Sequence, residues 1–191
     1  KVISLYGGTR KPTAEMLSDV NLIIYDIQDI GARFYTYITT LGLVMEAGAE
    51  LNIPVLVLDR PNPIRSDIVE GPILDLKYRS FVGHYPIPTR YGSTIGELAE
   101  SIIEHGWIDP IPKLEIIRME GWQPDAWFDQ TDLIWTPPSP NIPDLETAII
   151  YPGMCIIEGT NISEGRGTPK PFKWIGAPWI DGKKLSQTLN N

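Results

Sequence analysis

The sequence contains few of the residues that form disulfides or bind zinc. It has one cysteine, Cys155, and two histidines, His84 and His105, in 191 residues. One cysteine cannot form a disulfide within the chain, and a structural zinc site needs four Cys or His ligands at characteristic spacings. We therefore interpret Cys155 as a structural thiol among apolar neighbours. We expect no metal site and no cofactor.

Basic clusters and long apolar runs are also lacking. The chain carries 16 Lys and Arg residues against 24 Asp and Glu residues, a net charge of -8. Nucleic-acid-binding domains usually present a basic patch, so we predict no nucleic-acid partner. The apolar runs at 22–25 and 55–58 are far shorter than the roughly 20 residues of a membrane-spanning helix, which predicts no membrane span. No signal peptide is visible, and the compartment is unknown from these residues.

What the sequence does contain is typical of a globular domain with a sizeable core. Hydrophobic residues make up 42% of the chain and charged residues 21%. The 18 prolines, some in strings such as 137–140, predict long ordered loops between the regular elements. Loops of this kind often carry binding sites.

The first part of the chain has the pattern of alternating strands and helices. Residues 2–6 alternate as in a short strand, and Thr13 is placed to cap a helix through residue 20. The run 21–26 predicts a buried strand, the spacing of apolar residues over 33–51 predicts an amphipathic helix, and 55–58 predicts the next strand. This βαβ order implies parallel strands and a right-handed crossover.

The rest of the chain extends this pattern. Ser93 or Thr94 is placed to cap a helix through residue 105, and 114–119 predicts another strand. Residues 147–157 fit a helix or a strand equally. We predict an α/β fold, a Rossmann-like parallel sheet with flanking helices, over residues 1–125. Residues 126–191 are predicted to form Pro/Gly-rich cleft loops and the start of a smaller C-terminal domain. Because the predicted strand 2–6 lies at the very start of the chain, we expect the fold to be truncated at its N-terminus.

Two predicted strands end in polar clusters. Ligands bind beyond the carboxyl ends of the strands in open parallel sheets, so these side chains should line one crevice. Fixing of loops and helix ends is the alternative role for each aspartate. The residues concerned are Asp26, Asp29 and Arg33 after the first strand, and Asp59, Arg60 and Asn62 after the second.

Two tyrosines follow the first cluster. Tyr35 and Tyr37 lie two positions apart near a helix start, so we expect them to face different directions. One would then pack while the other points its hydroxyl into the crevice. A plain core or edge position is the alternative for each.

A third polar cluster lies in the glycine-rich segment 158–168. Its alternating glycines permit close backbone approach, and Glu158, Asn161, Glu164 and Arg166 supply polar contacts. A binding loop is one interpretation. The other is a connection in which Arg166 only pairs with Glu164 or Glu158. The Walker spacing and a Gly-x-Gly-x-x-Gly turn are both absent, which disfavours nucleotide binding.

Carboxylates, amides, aromatic rings and an arginine suit a sugar that carries an anionic group. Carboxylates serve as acid and base in glycoside cleavage, and arginine binds a carboxylate with two hydrogen bonds.

At these clusters the sequence resembles the bacterial exo-β-N-acetylmuramidase family of the YbbC/NamZ type. The matching strings cover nearly the whole chain and are YDIQD (25–29), RFYTY (33–37), LDRPNP (58–63), VEGP (69–72), PIP (86–88), TIGEL (94–98), PSPNIP (138–143), EGTNISEGRG (158–167) and IGAPW (175–179).

The resemblance implies release of terminal, non-reducing N-acetylmuramic acid from peptidoglycan fragments. It implies a cleft between the Rossmann-like domain and a smaller C-terminal domain, and an exported, extracytoplasmic protein. Tyr35 matches a tyrosine proposed to act in the active site. The other matched polar residues would bind the sugar. Independently of the resemblance, charge matching suggests Arg33, Arg90 or Arg166 as the group that holds its lactyl carboxylate. The sugar-binding set is Asp26, Asp29, Arg33, Tyr37, Asp59, Arg60, Asn62, Arg90, Asn141, Glu158, Asn161, Glu164 and Arg166.

The sequence also departs from the family pattern. The Gly-Pro-Glu-His-Gly motif with the family's catalytic glutamate is absent, and Tyr91 stands where a histidine is usual. The family pattern also continues beyond residue 191. We therefore expect this chain alone to be weakly active or inactive. Tyr35 as nucleophile, Asp26 as base and participation of the substrate's acetamido group all remain open.

Three other interpretations remain. The chain could be a non-catalytic sugar-binding module or an incompletely folded fragment. An esterase or amidase is disfavoured because no Gly-x-Ser-x-Gly turn is present.

Overall fold

A computed structural model describes residues 2–190. The chain divides into two compact units, Lys1–Leu133 and Ile134–Asn191. The predicted boundary after residue 125 stays a prediction. Among the described helices, none is both long and apolar enough to cross a bilayer.

A three-stranded parallel sheet forms the centre of the first unit. Its strands are β1 (Ile23–Tyr25), β2 (Val55–Leu58) and β3 (Leu114–Ile117), in the order β1-β2-β3. β2 pairs with both neighbours, with Val57 opposite Tyr25 and Ile116. The α/β prediction with a parallel sheet is confirmed, although β1 and β3 are shorter than the predicted 21–26 and 114–119.

Two helices of the first unit bury apolar faces. α1 spans Tyr37–Leu51 and ends at Asn52 with a φ of 55°. α2 spans Ile95–Glu104, and Thr94 and Glu97 form the capping box at its N-terminus. The predicted cap at Thr94 is confirmed. α1 begins four residues later than predicted, because residues 33–36 form a turn in which the Tyr35 amide bonds the Ala32 carbonyl at 2.9 Å.

The hydrophobic core lies between these helices and one face of the sheet. The residues at its centre are almost fully buried, whereas Ile24 and Ile117 on the strands are 56% and 49% exposed. The core includes Tyr25, Ile38, Leu41, Met45, Val55, Val57, Tyr85, Tyr91, Leu98, Ala99 and Ile102.

Two predictions near the N-terminus are wrong. Residues 2–6 form no strand, and residues 14–19 form turns instead of a helix. Thr13 does accept a bond from the Met16 amide at 3.3 Å, but the helix does not continue. Most side chains of this segment are exposed, and so short a helix is not stable without a packed face.

The second unit is mainly helical in its regular elements. α3 spans Leu145–Met154 and α4 spans Gly182–Leu189, with a 3-10 helix at Cys155–Gly159. The ambiguous segment 147–157 is therefore helical. The Asp144 side chain caps α3 by accepting from the Thr147 amide at 2.9 Å. Pro152 lies in its last turn.

Candidate functional site

The first two polar clusters meet at the carboxyl edge of the sheet. The Asp26 carboxylate accepts from Arg60 Nε at 2.6 Å, and Arg60 Nη2 lies 2.6 Å from the same oxygen. Gln28 Nε2 donates to the Pro61 carbonyl at 2.8 Å. The side chains of Arg60 and Asp26 are 39% and 44% exposed. The segments after β1 and β2 are therefore joined, as parallel pairing predicts, and their ion pair is open to solvent.

Asp29 is the buried carboxyl of this edge. It is 4% exposed, and its Oδ2 accepts from the Gly31 amide at 2.7 Å and from the Tyr91 hydroxyl. Its Oδ1 is buried with no hydrogen-bond partner among residues 2–190. Burial raises the pKa of Asp29 to about 6, although the bonds from Tyr91 and Gly31 oppose this shift. A buried carboxyl that titrates near neutrality is a candidate for proton transfer.

Asp59 joins the end of β2 to the start of α2. Its carboxylate accepts from the Thr94 hydroxyl at 2.9 Å and from the Gly96 amide at 2.8 Å. Burial raises the pKa of Asp59, and these two bonds oppose the rise. The carboxylate thereby satisfies the Gly96 amide, which has no partner within α2 at the helix N-terminus. This geometry fits the loop-fixing role that the sequence left open.

Asn62 holds the loop after β2. Its Nδ2 donates to the Ser93 carbonyl at 3.0 Å, and its Oδ1 accepts from the Ile64 amide at 3.1 Å. Gly31 has a φ of +78°, and a Cβ at that position would lie 2.3 Å from Asn62 Oδ1. Only glycine fits this approach of the two loops.

Two of the candidate arginines, Arg33 and Arg90, form hydrogen bonds or ion pairs with other residues of the protein. Arg33 is 6% exposed and donates through Nη1 to the carbonyls of Pro72 at 2.7 Å and Ile87 at 2.5 Å. Burial lowers its pKa. The Arg90 side chain is 11% exposed and bonds Glu70 at 2.8 Å. A role for either in binding substrate stays a prediction.

Tyr35 and Tyr37 contact each other. Their ring centroids lie 4.9 Å apart at an angle of 78°, so the expectation that they diverge is wrong. Tyr35 lies in the turn before α1, where helical directions do not apply. Burial raises the pKa of Tyr35 above its ordinary value, and the nearby Tyr37 and Asp29 raise it further. Tyr6, which the sequence did not single out, packs edge-on to Tyr37 at 6.4 Å.

The third cluster lies in the second unit. Arg166 Nε is 2.6 Å from Glu158 Oε1 and 3.1 Å from Glu164 Oε1, and its guanidinium lies 5.1 Å from the Phe172 ring centroid. These two ion pairs agree with the second interpretation of segment 158–168, in which Arg166 pairs with Glu164 or Glu158. Its side chain is still 45% exposed, so it can be reached by a ligand.

The two candidate asparagines of the second unit differ in exposure. Asn161 is exposed, whereas Asn141 is half-buried and its backbone N–H donates to the Ser139 hydroxyl at 3.2 Å.

Sequence reasoning missed a cleft in the first unit. It has a volume of about 520 Å³ and lies where the chain leaves β2 and β3, beside Pro61 and Met119. Trp122 is among its lining residues. The surrounding segment has no periodic pattern, and only its tryptophan and amides could have drawn attention to it. Among residues 2–190, no group of three His, Cys, Asp or Glu side chains is arranged to hold a metal.

Comparison with known protein families agrees with this fold. The N-terminal model of exo-β-N-acetylmuramidase NamZ matches residues 1–146, and the C-terminal model matches residues 149–191. This chain belongs to the NamZ family. The resemblance carried by the sequence motifs is therefore confirmed.

Relatives of this NamZ-family chain include a curated enzyme and two solved structures. The peptidoglycan β-N-acetylmuramidase NamZ of Bacillus subtilis (strain 168) is 53% identical over 190 residues, which cover 100% of this chain and 45% of that protein. One DUF1343 family protein from Bacteroides fragilis NCTC 9343 has a TM-score of 0.93 and 44% identity, over 98% of this chain and 49% of that one. A second has a TM-score of 0.84 and 38% identity, over 94% and 51%. The chain thus spans about half the length of these relatives.

Proposed function

We propose that the full-length protein containing this chain releases N-acetylmuramic acid from the non-reducing ends of peptidoglycan fragments. The observation that carries the proposal is 53% identity, along the entire chain, to a peptidoglycan β-N-acetylmuramidase. The polar edge of the sheet supports it, because carboxyl, phenol and guanidinium groups follow β1 and β2 where α/β folds bind ligands.

Tyr35 is proposed as a hydrogen-bond donor to the substrate. A phenol is protonated at neutral pH, and burial raises the pKa of Tyr35 further, which favours hydrogen-bond donation to developing charge over nucleophilic attack. Asp29, with a pKa of about 6, is the nearby group that changes protonation close to neutrality. Proton transfer of this kind contributes about 10²–10⁴-fold to rate.

Arg166 is the most exposed of Arg33, Arg90 and Arg166, the three candidates to bind the lactyl carboxylate. The Arg166 side chain is 45% exposed, and the Arg90 side chain is 11% exposed. Arg33 as a whole residue is 6% exposed. Partly exposed ion pairs contribute about 0–1 kcal/mol, so a substrate carboxylate can replace one of its partners at little cost.

Tyr35→Phe in the full-length protein tests the catalytic part of the proposal. With a chromogenic β-N-acetylmuramic acid glycoside, we expect kcat to fall by about 100-fold or more. Tyr78→Phe is the matched control, because Tyr78 is 68% exposed, and its activity should stay within about twofold. Full activity of Tyr35→Phe would remove Tyr35 from the mechanism.

A second candidate function applies to this chain by itself. It contains no Gly-Pro-Glu-His-Gly string, which favours a sugar-binding module without hydrolysis. The 191-residue chain should then bind muropeptides in a pull-down and release little or no N-acetylmuramic acid. Robust release by this chain would contradict that assignment.

We further propose that the full-length protein works outside the cytoplasmic membrane. Its proposed substrate is cell-wall material, and the resemblance points the same way. Cell fractionation with immunoblotting tests this. Confinement to the cytoplasm would contradict it.

A further inference from the structure

We propose that the cleft beside Trp122 binds a neutral sugar ring of the substrate, separately from the ring that carries the lactyl carboxylate. The inference rests on the proposed function and adds a specificity site to it. This site, here called the Trp122 cleft, has a volume of about 520 Å³, which is large enough for one pyranose. Its lining includes Pro61, Met119, Glu120, Trp122, Gln130 and Asp132.

The cleft lies on the functional edge of the sheet. Pro61 follows the end of β2 and Met119 follows the end of β3, and both line it. The two strands are parallel, so their carboxyl ends share one edge. This is the edge at which Asp26 and Arg60 meet, and ligands of α/β folds bind there.

The cleft contains the aromatic ring of Trp122, whose indole N–H donates no hydrogen bond to another described residue. Trp122 is half-buried, and its indole Nε1 is buried without a hydrogen-bond acceptor among residues 2–190. Gly121 before it has a φ of +73°, and a Cβ there would meet no atom within 4 Å. The backbone at this turn is therefore open to a ligand. Tryptophan combines a large apolar face with a polar N–H, which matches the apolar face and hydroxyl edge of a pyranose.

The polar groups of the cleft favour a neutral ligand over an anion. Glu120 and Asp132 line it, and neither forms a salt bridge within the described residues. The side-chain oxygen of Gln130 accepts from the Trp127 amide at 2.8 Å, which leaves its NH₂ group to donate. No Lys, Arg or His lines the cavity. Hydroxyl groups can donate to both carboxylates, whereas a lactyl carboxylate would be repelled.

Comparing two substrates separates this site from the hydrolytic centre. The disaccharide of N-acetylmuramic acid β-linked to N-acetylglucosamine carries a neutral ring, and the chromogenic glycoside has none. In the full-length protein we expect Trp122→Ala to raise KM about tenfold for the disaccharide, equivalent to about 1.4 kcal/mol. For the chromogenic glycoside, KM should change less than about twofold.

Two control variants distinguish loss of the sugar site from a folding defect. Trp122→Phe keeps an aromatic face and should restore most of the disaccharide KM. Trp174→Ala removes a tryptophan that is 55% exposed and should leave both KM values unchanged. Equal losses on both substrates in Trp122→Ala, or no loss on either, would overturn the proposal.

Competition by monosaccharides tests the charge preference. N-acetylglucosamine should inhibit disaccharide cleavage, and Trp122→Ala should weaken that inhibition about tenfold. Stronger inhibition by cationic glucosamine would show a cation site and overturn the neutral-sugar assignment. If the unaltered protein cleaves neither substrate, the proposed function fails. Calorimetric binding of the disaccharide then decides on the cleft, since binding unchanged by Trp122→Ala would overturn it.

Discussion

Asp29→Asn should change how the stability of the protein depends on pH. Asp29 is 4% exposed, and burial raises its pKa from 3.8 to about 6. The folded protein therefore binds this proton more tightly than the unfolded chain does. The resulting stabilisation is complete below the unfolded pKa of 3.8 and is lost as the pH rises to about 6. The shift of about two units corresponds to about 3 kcal/mol.

Asparagine keeps an oxygen that can accept from the Gly31 amide but cannot ionise. Urea unfolding, followed by tryptophan fluorescence across this pH range, gives the free energy of unfolding of both proteins. From a pH well below 3.8 to a pH well above 6, we expect the free energy of unfolding of the unaltered protein to fall by about 3 kcal/mol relative to that of Asp29→Asn. A difference that stays constant with pH would refute the burial argument.

Asp75→Asn provides a control of opposite sign. A hydrogen bond from Lys77 holds the pKa of the exposed Asp75 below its ordinary value. The contribution of Asp75 is therefore present at neutral pH and lost as the pH falls. The unaltered protein should lose stability relative to Asp75→Asn on acidification, in contrast to Asp29→Asn.

Three further substitutions test the contacts at this edge. Gly96→Ala places a Cβ 2.8 Å from Asp59 Cγ and should lower stability by about 1–3 kcal/mol in calorimetry, so an unchanged melting temperature would contradict the packing. Thr94→Ala removes the α2 cap and a bond to Asp59, and urea unfolding should show a loss of about 1–2 kcal/mol. Tyr91→Phe removes the bond that opposes the pKa shift of Asp29. The pKa of Asp29 should then rise further in an NMR titration, and a fall would refute the assignment.

The elements that the sequence predicts best have strong local signals. β2 has the predicted bounds, because the run 55–58 is apolar throughout and rich in β-branched residues. The Thr94-x-x-Glu97 spacing marks the start of α2. The predicted start of α1 at residue 33 is wrong, because the Arg33 amide donates to the Thr89 carbonyl at 2.8 Å. That contact joins residues far apart in the sequence, so local periodicity cannot reveal it.

The sequence predicts the part of the candidate site in which residues after the ends of β1 and β2 become neighbours. Parallel pairing predicts that Asp26 and Arg60 are neighbours, and they form an ion pair. The burial of Asp29 under Tyr91 was not predictable, because it depends on packing between distant loops. The Trp122 cleft was missed for a related reason, since irregular loops with no repeating pattern surround it.

Product analysis tests the central claim most directly. The full-length protein is incubated with peptidoglycan fragments that end in N-acetylmuramic acid, beside the same protein carrying Tyr35→Phe. We predict that the unaltered protein releases free N-acetylmuramic acid from the non-reducing end and that the variant releases about 100-fold less. Binding of the fragments without any release of this sugar would contradict the assignment as a hydrolase.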